Sequence, residues 1–481
     1  MELHKPKHVV LVSSPGLGHL IPVIELGKRF VLHHNFNVTV LAVTSQTSKT
    51  ETQILNSAFT PSLCHVICIP PPNLVGLIDE NAATHVTRLC VMMREAKPAI
   101  RSIISKITPR PSALIFDIFS TEAIPIAREL NILSYVFDAS HAWMLALLVY
   151  SPVLDEKIEG EFVDQKQALK IPGCNAVRPE DVFDPMLDRN DQQYKEALGI
   201  GNRITQSDGI LVNTWEELQY KDLEALREGG SEALNMKIPI YAVGPIVRES
   251  ELEKNSSNES LVKWLDEQPN ESVVYVSFGS GGTLSYEQTT ELAWGLELSE
   301  RRFVWVVRAP TEGAADSAFF TTGSSESEGD EGLMYFPEGF LSRTCNLGLL
   351  VPEWSQQVTI LKHRSVGGFL SHCGWGSTLE SVTNGVPLIA WPLYAEQKMN
   401  ATLLSEELGV AVRTAVLPTK KVVRREEIAR MVREVIPGNE NVKKNEIRER
   451  VKEVQRSALK ALSVGGSSYT ALSQVAKTIE G

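Results

Sequence analysis

His19 follows the turn Ser14-Pro15-Gly16-Leu17-Gly18 and opens a helix-like stretch, LIPVIELGKRFV. The positive end of a helix disfavours added positive charge, so an imidazole placed there stays neutral and basic. A general base for a hydroxyl proton needs that state. Asp117 closes the strand-like run ALIFD. In open α/β sheets the ligand crevice lies beyond the C-terminal strand ends. A carboxylate there can accept the second ring N–H, fix the tautomer and stabilise the imidazolium as it forms. Both residues have plainer uses. A lone His at a strand–turn–helix junction is more often structural, and Asp117 is also placed to cap a helix starting near Ser120.

A second set of polar residues lies between Trp354 and Gln397, in WSQQVTILKHRSVGGFLSHCGWGSTLESVTNGVPLIAWPLYAEQ. Trp354 offers a flat face on which a base can stack, or a core-packing side chain. The backbone of Ser355 and the side chain of Gln357 suit base and ribose. Glu380 can accept from two ribose hydroxyls, or stand as a helix surface charge. His372, Ser377 and the amides around Gly374–Gly376 converge on an expected helix N-terminus, where a pyrophosphate is favoured. Ser280, in the loop SFGSGGT, adds a phosphate contact, and Ser14 is placed for another in the matching loop of the first half. Trp375, Glu396 and Gln397 are left to hold a sugar. Base, phosphates, ribose and sugar together read as a nucleotide sugar.

The run resembles the signature box of plant family 1 UDP-dependent glycosyltransferases. The resemblance implies an α/β protein of GT-B fold, with two Rossmann-like, doubly wound parallel-sheet domains facing a cleft. It implies His19 as base and Asp117 as its partner, in an inverting transfer that gives a β-glucoside without metal or other cofactor. In that family a terminal Gln accompanies glucose, so Gln397 points to UDP-glucose as donor. The end WPLYAEQKMNA and an acidic insert look like the hydroquinone and phenylpropanoid glucosyltransferase branch, so a small phenolic acceptor is expected: a hydroquinone, monolignol or flavonoid. Ile118, Phe119, Trp143 and Phe183, with Pro71 and Leu74, suit an aromatic acceptor; each is equally suited to the core. One departure stands out. The family commonly has Asn after the Trp of HCGW, and this chain has Gly376. A hydrogen bond to a charged phosphate, worth roughly 1.5–3 kcal/mol, is thereby lost or replaced.

The elements that would position these residues are legible as short β-branched runs alternating with helical stretches. The runs are His8–Val12, Val38–Val43, Val66–Pro70, Ala113–Asp117, Ser134–Phe137, Gly209–Asn213 and Ile240–Val243. In the second half they are Ser272–Phe278, Phe303–Val307, Gly348–Val351, Gly367–Leu370 and Val386–Trp391. Continuous apolar strands belong to parallel sheets buried on both faces. The expected division is a first domain at 1–245, a polar linker at 246–260, a second domain at 261–464 and a final helix at 465–481, with Ser467 as its N-cap. The resemblance implies that this helix packs back on the first domain. The stretch Ala309–Met334 has six acids and no Lys or Arg, and reads as a disordered surface loop.

Bulk properties exclude several classes. At 481 residues the chain is too long for one core. A net charge of −12 argues against nucleic-acid binding. The six cysteines include no CxxC pair, so no zinc or redox site is indicated. The N-terminus lacks a long apolar stretch, and the greasiest segment, Ala142–Tyr150, is too short to span a bilayer. A cytoplasmic, monomeric enzyme is expected, with no membrane insertion. The third glycine of GxGxxG is missing after the first strand, which disfavours dinucleotide binding. No Asp-x-Asp triplet occurs, which disfavours a metal-bridged pyrophosphate. Two other classes remain: a non-catalytic nucleotide-sugar-binding protein on the same scaffold, supported by Gly376 alone and opposed by His19, Asp117 and Gln397, and a nucleotide-sugar epimerase, which would need acids and bases around the sugar C2 that the run does not supply.

Overall fold

The computed structural model describes residues 6–45, 48–57, 64–79, 83–227, 236–248, 256–313, 315–316, 319, 335–351, 356–436 and 443–481. The chain divides into two compact units. Residues 1–46, 51–247 and 457–481 form one; residues 47–50 and 248–456 form the other.

The first unit is built on seven strands: β1 (His8–Ser13), β2 (Asn37–Val43), β3 (Cys64–Ile69), β4 (Ala113–Asp117), β5 (Leu133–Asp138), β6 (Gly209–Val212) and β7 (Ile240–Ala242). They lie in the order β3-β2-β1-β4-β5-β6-β7, and every pairing is parallel. Strands β1 and β4 are buried at every residue, which is why their sequences run apolar without alternation. The register pairs Val12 with Phe116, so the chain leaves β1 beside the end of β4. The helix Ala142–Lys157, apolar on all sides, is buried from Ala142 to Ser151 and serves as a core helix.

The second unit has six strands: β8 (Val273–Ser277), β9 (Arg302–Val306), β10 (Gly348–Val351), β11 (Val366–Ser371), β12 (Leu388–Ala390) and β13 (Ala411–Arg413). Their order, β10-β9-β8-β11-β12-β13, repeats that of the first six strands of the other sheet. All twelve runs expected from the sequence occur as strands. β13 was not anticipated from the sequence.

Three boundaries differ from expectation. The division falls at Val247, and the helix Ser256–Asp266 starts inside the expected linker. Its polar start, NSSNES, looked like linker, but Leu261 and Leu265 behind it are buried. The acidic insert lies mostly outside the described residues; its Ala315 and Phe319 pack against the second unit's core. The last segment joins the first unit from Ser457, inside the penultimate helix Lys443–Leu462.

The last helix, Ser467–Glu480, has Gly466 as its N-cap, and the Ser467 hydroxyl donates instead to Glu217 at 2.8 Å. Its apolar stripe, Leu472, Val475, Ala476 and Ile479, completes the core formed by Val23, Leu26 and Phe30 with strands β1, β2, β4 and β5. Among the described residues no helix is long and apolar enough to cross a membrane. Leu472→Ala should destabilise the first unit by about 2–4 kcal/mol, the range for a buried Leu, measured as an earlier midpoint in urea unfolding.

Candidate active site

Strand order reverses direction beside β1 in the first sheet, because β2 lies on one side and β4 on the other. Loops leaving neighbouring strands diverge at such a point and open a crevice. Gly16, at φ 98°, turns the chain from β1 into the helix Leu17–His34, a conformation that costs a side-chain-bearing residue more. That turn places His19 against the end of β4. Its Nδ1 lies 3.0 Å from Asp117 Oδ1, with the His side chain 19 % exposed and Asp117 fully buried. A carboxylate only accepts, so Nδ1 carries the hydrogen and the lone pair is on Nε2.

The other Asp117 oxygen accepts from the Ser14 hydroxyl at 2.5 Å and from the Phe119 amide at 3.4 Å. Asp117 is therefore both the cap of the 3-10 turn Ile118–Ala123 and the orienter of His19; the two uses coexist. Ser14, expected at a phosphate, is fully buried and braces the carboxylate. The Phe119 ring packs edge-on against His19, with centroids 4.9 Å apart. Ile118, beside it, is partly exposed. Trp143 and Phe183, the other expected acceptor residues, lie in the interior, and the Trp143 indole donates to the Asn175 carbonyl at 2.8 Å.

In the second sheet the order reverses beside β8, between β9 and β11. Ser280 sits in the loop after β8, and His372 in the loop after β11, just ahead of the helix Trp375–Thr383. His372 is buried, and desolvation, aided by the charge of Arg308, lowers its pKa to about 3. It is a neutral ring at physiological pH. A Cβ on Gly279 (φ 73°) would lie 2.4 Å from the His372 ring, and one on Gly374 would lie 2.5 Å from it, so both loops are shaped around the imidazole.

Cys373 adopts φ 65°, a left-handed conformation that is uncommon for a residue with a side chain. Its amide donates to the Ser371 hydroxyl at 3.2 Å, and its carbonyl accepts from Asn400 Nδ2 at 2.7 Å. Asn400 also donates to Glu396 at 2.9 Å. This fully buried residue escaped the sequence analysis, although its spacing of four from Glu396 was a helical signal.

Gln357, Ser377 and Glu380 are brought together. Gln357 Nε2 donates to Ser377 Oγ at 2.8 Å and to Glu380 Oε2 at 2.7 Å. Gln397 is 2 % exposed, and its side-chain oxygen accepts from the amides of Leu393 and Tyr394, both at 3.0 Å. Its NH₂ end is the part left to offer a ligand. The Trp375 side chain is 4 % exposed. A Cβ on Gly376 would meet nothing within 4 Å, so a side chain has room there. Trp354 and Ser355 lie outside the described residues.

Residues 251–449 match the family model for UDP-glucoronosyl and UDP-glucosyl transferases. The chain is 56 % identical over 472 residues to anthocyanidin 3-O-glucosyltransferase 5 of Manihot esculenta, covering 98 % of this chain and 95 % of that one. It is 42 % identical over 477 residues to the hydroquinone glucosyltransferase of Rauvolfia serpentina, covering 98 % and 97 %. The solved structure of TcCGT1 in complex with UDP matches with a TM-score of 0.90 at 47 % identity, over 99 % of each chain. Two Rossmann-like units of this topology define the GT-B class of glycosyltransferases. Within it, the chain belongs to the plant family 1 UDP-dependent glycosyltransferases.

The neutral His372 gives a pH signature. The unfolded chain takes up a proton near the ordinary value of 6.5, whereas the folded ring does so only near 3. Stability should therefore fall as pH drops below about 6.5. A His372→Gln variant should show a flatter loss of melting temperature between about pH 6.5 and 5 than the parent chain.

Proposed function

We propose that this protein transfers glucose from UDP-glucose to a hydroxyl of a small phenol, with inversion, to give a β-O-glucoside in the cytoplasm. The observation that carries the reading is the His19–Asp117 pair at the order reversal of the first sheet. The glucosyltransferase names of two full-length relatives support glucose and a phenolic acceptor.

In this reading Nε2 of His19 takes the acceptor proton as the oxygen forms its bond to the anomeric carbon. The bond from that carbon to the β-phosphate oxygen breaks, and UDP leaves with the electron pair. Asp117, held by Ser14 and the Phe119 amide, stabilises the imidazolium through Nδ1–H. Glu380, fixed by Gln357, suits the ribose hydroxyls. Ser280, His372 as a neutral donor, and Ser377 with the amides at the start of the helix Trp375–Thr383 suit the diphosphate. Glu396 and the NH₂ of Gln397 suit the sugar hydroxyls. Phe119 and Ile118, next to the base, suit the acceptor ring.

A panel of phenolic acceptors with UDP-glucose, UDP-galactose and UDP-xylose, products read by mass, tests the reading. Glucosides formed fastest from UDP-glucose are expected, and EDTA should leave the rate unchanged. A chain that converts UDP-glucose without acceptor, or releases no UDP with any phenol, would contradict it. His19→Ala should lower kcat by about 10²–10⁴-fold, the usual contribution of a general base, while the affinity for UDP stays near that of the parent. Gly376→Asn has room for its amide and should tighten donor binding by roughly tenfold, read as the dissociation constant for UDP.

A further inference from the structure

We propose that Arg308 supplies a fixed positive charge that receives the donor's diphosphate and steadies it as it leaves. The inference rests on the UDP-sugar reading above and adds to it a residue outside the signature run.

Arg308 lies two residues beyond β9, at the C-terminal edge of the second sheet. Its Nη1 donates to the Gly282 carbonyl at 2.7 Å, in the same loop as Ser280. That loop is hemmed in by Tyr394 and by His372, the latter already placed at the diphosphate. A Cβ at Gly281 would lie 2.8 Å from the Tyr394 hydroxyl, and one at Gly279 would touch the His372 ring. Arg308 is close enough to both side chains to bias their protonation, pushing His372 down and opposing the rise of Tyr394. Three elements thus converge on one short glycine-rich turn, and Arg308 is the charged one.

Two features say that an anion belongs there. First, Arg308 is partly buried, and among the described residues no carboxylate forms an ion pair with it. Two other partly buried arginines of the unit, Arg425 and Arg448, pair with Glu291 and Glu271, whereas Arg301 pairs with backbone carbonyls. Withdrawing a guanidinium from water without a counter-charge is costly, and the cost is recovered where an anion arrives. Second, the other groups placed at the diphosphate carry no positive charge, and the charges that Tyr394 also senses, Asp316 and Glu396, are negative. Ser280 and Ser377 are hydroxyls, and His372 is a neutral ring held by burial. A diphosphate that departs with extra negative charge is poorly balanced by such groups alone. An arginine, with a planar set of donors and a charge that persists at any working pH, meets the need. Its bond to Gly282 fixes the side chain beforehand, so little ordering remains to be done on binding.

The test compares the parent chain with Arg308→Lys and Arg308→Gln. Calorimetry gives the dissociation constants of uridine and UDP at low and high salt, and kinetics give KM and kcat for UDP-glucose. Loss of one charged contact to phosphate should weaken UDP binding about tenfold or more in Arg308→Gln. Arg308→Lys, which keeps the charge, should retain most of the affinity. Uridine should bind all three chains alike, and the salt dependence of UDP binding should be shallower in Arg308→Gln. Donor KM should rise and kcat fall in that variant. Equal UDP affinity in parent and Arg308→Gln would overturn the inference. So would a variant that loses uridine and UDP in parallel, because the residue would then merely hold the loop. A Gln variant that binds like the parent while Lys fails would assign the effect to the Gly282 hydrogen bond and also overturn it. If the parent chain itself bound no UDP, the donor reading would fall first and the inference with it; parent binding without a variant effect rejects the inference alone.

Discussion

The constraint on which the molecule depends is the reversal of strand order beside the central strand of each sheet. A parallel strand must be followed by a crossover, and crossovers on the two sides of β1, or of β8, leave in opposite directions. The backbone ends there without a neighbouring loop lying across them. In the first unit the vacated space is lined by the turn carrying His19 and by the carboxyl end of β4. In the second it is lined by the glycine-rich turn after β8 and the His372 loop after β11. The same topology has thus been used twice, once to set His19 against Asp117 and once to shape two loops around His372.

What holds these loops is mostly buried hydrogen bonding. Asp117 has no solvent contact, yet its two oxygens receive a ring N–H, a hydroxyl and an amide. Cys373 is kept in a left-handed conformation by a serine hydroxyl on one side and Asn400 on the other. Gln397 spends its oxygen on two consecutive amides, which pins the turn before it. Each of these groups would be costly to bury without its partners. Side chains therefore reach the edge of each sheet already aimed, which lowers the entropy lost when a ligand is bound.

Much of this was legible in the sequence for a physical reason. Strands buried on both faces must be continuously apolar, so Val9–Val12 and Val273–Val276 announced themselves. His19 and Asp117 could be singled out because each stands where such a run stops. What sequence could not supply was long-range pairing. Ser14 looked like a phosphate ligand because its partner is 103 positions away, and only the β1–β4 register brings them together. Asn400 was invisible because its role is to hold a carbonyl 27 positions earlier. The depth at which Trp143 and Trp375 are buried depends on neighbours that no local window contains.

The return of residues 457–481 to the first unit bears on how the protein is made. The stripe Leu472, Val475, Ala476 and Ile479 belongs to a core whose other members lie between Val9 and Ile246 and are translated before the bulk of the second unit. Between Val247 and Ser457 the ribosome must synthesise the whole second unit, which takes about 10–40 s at usual elongation rates. Throughout that interval the N-terminal body emerges with a greasy seam unsealed, a natural foothold for chaperones. Its core is completed only once residues 457–481 are made, so a premature stop codon ahead of them damages a unit whose other parts precede the second.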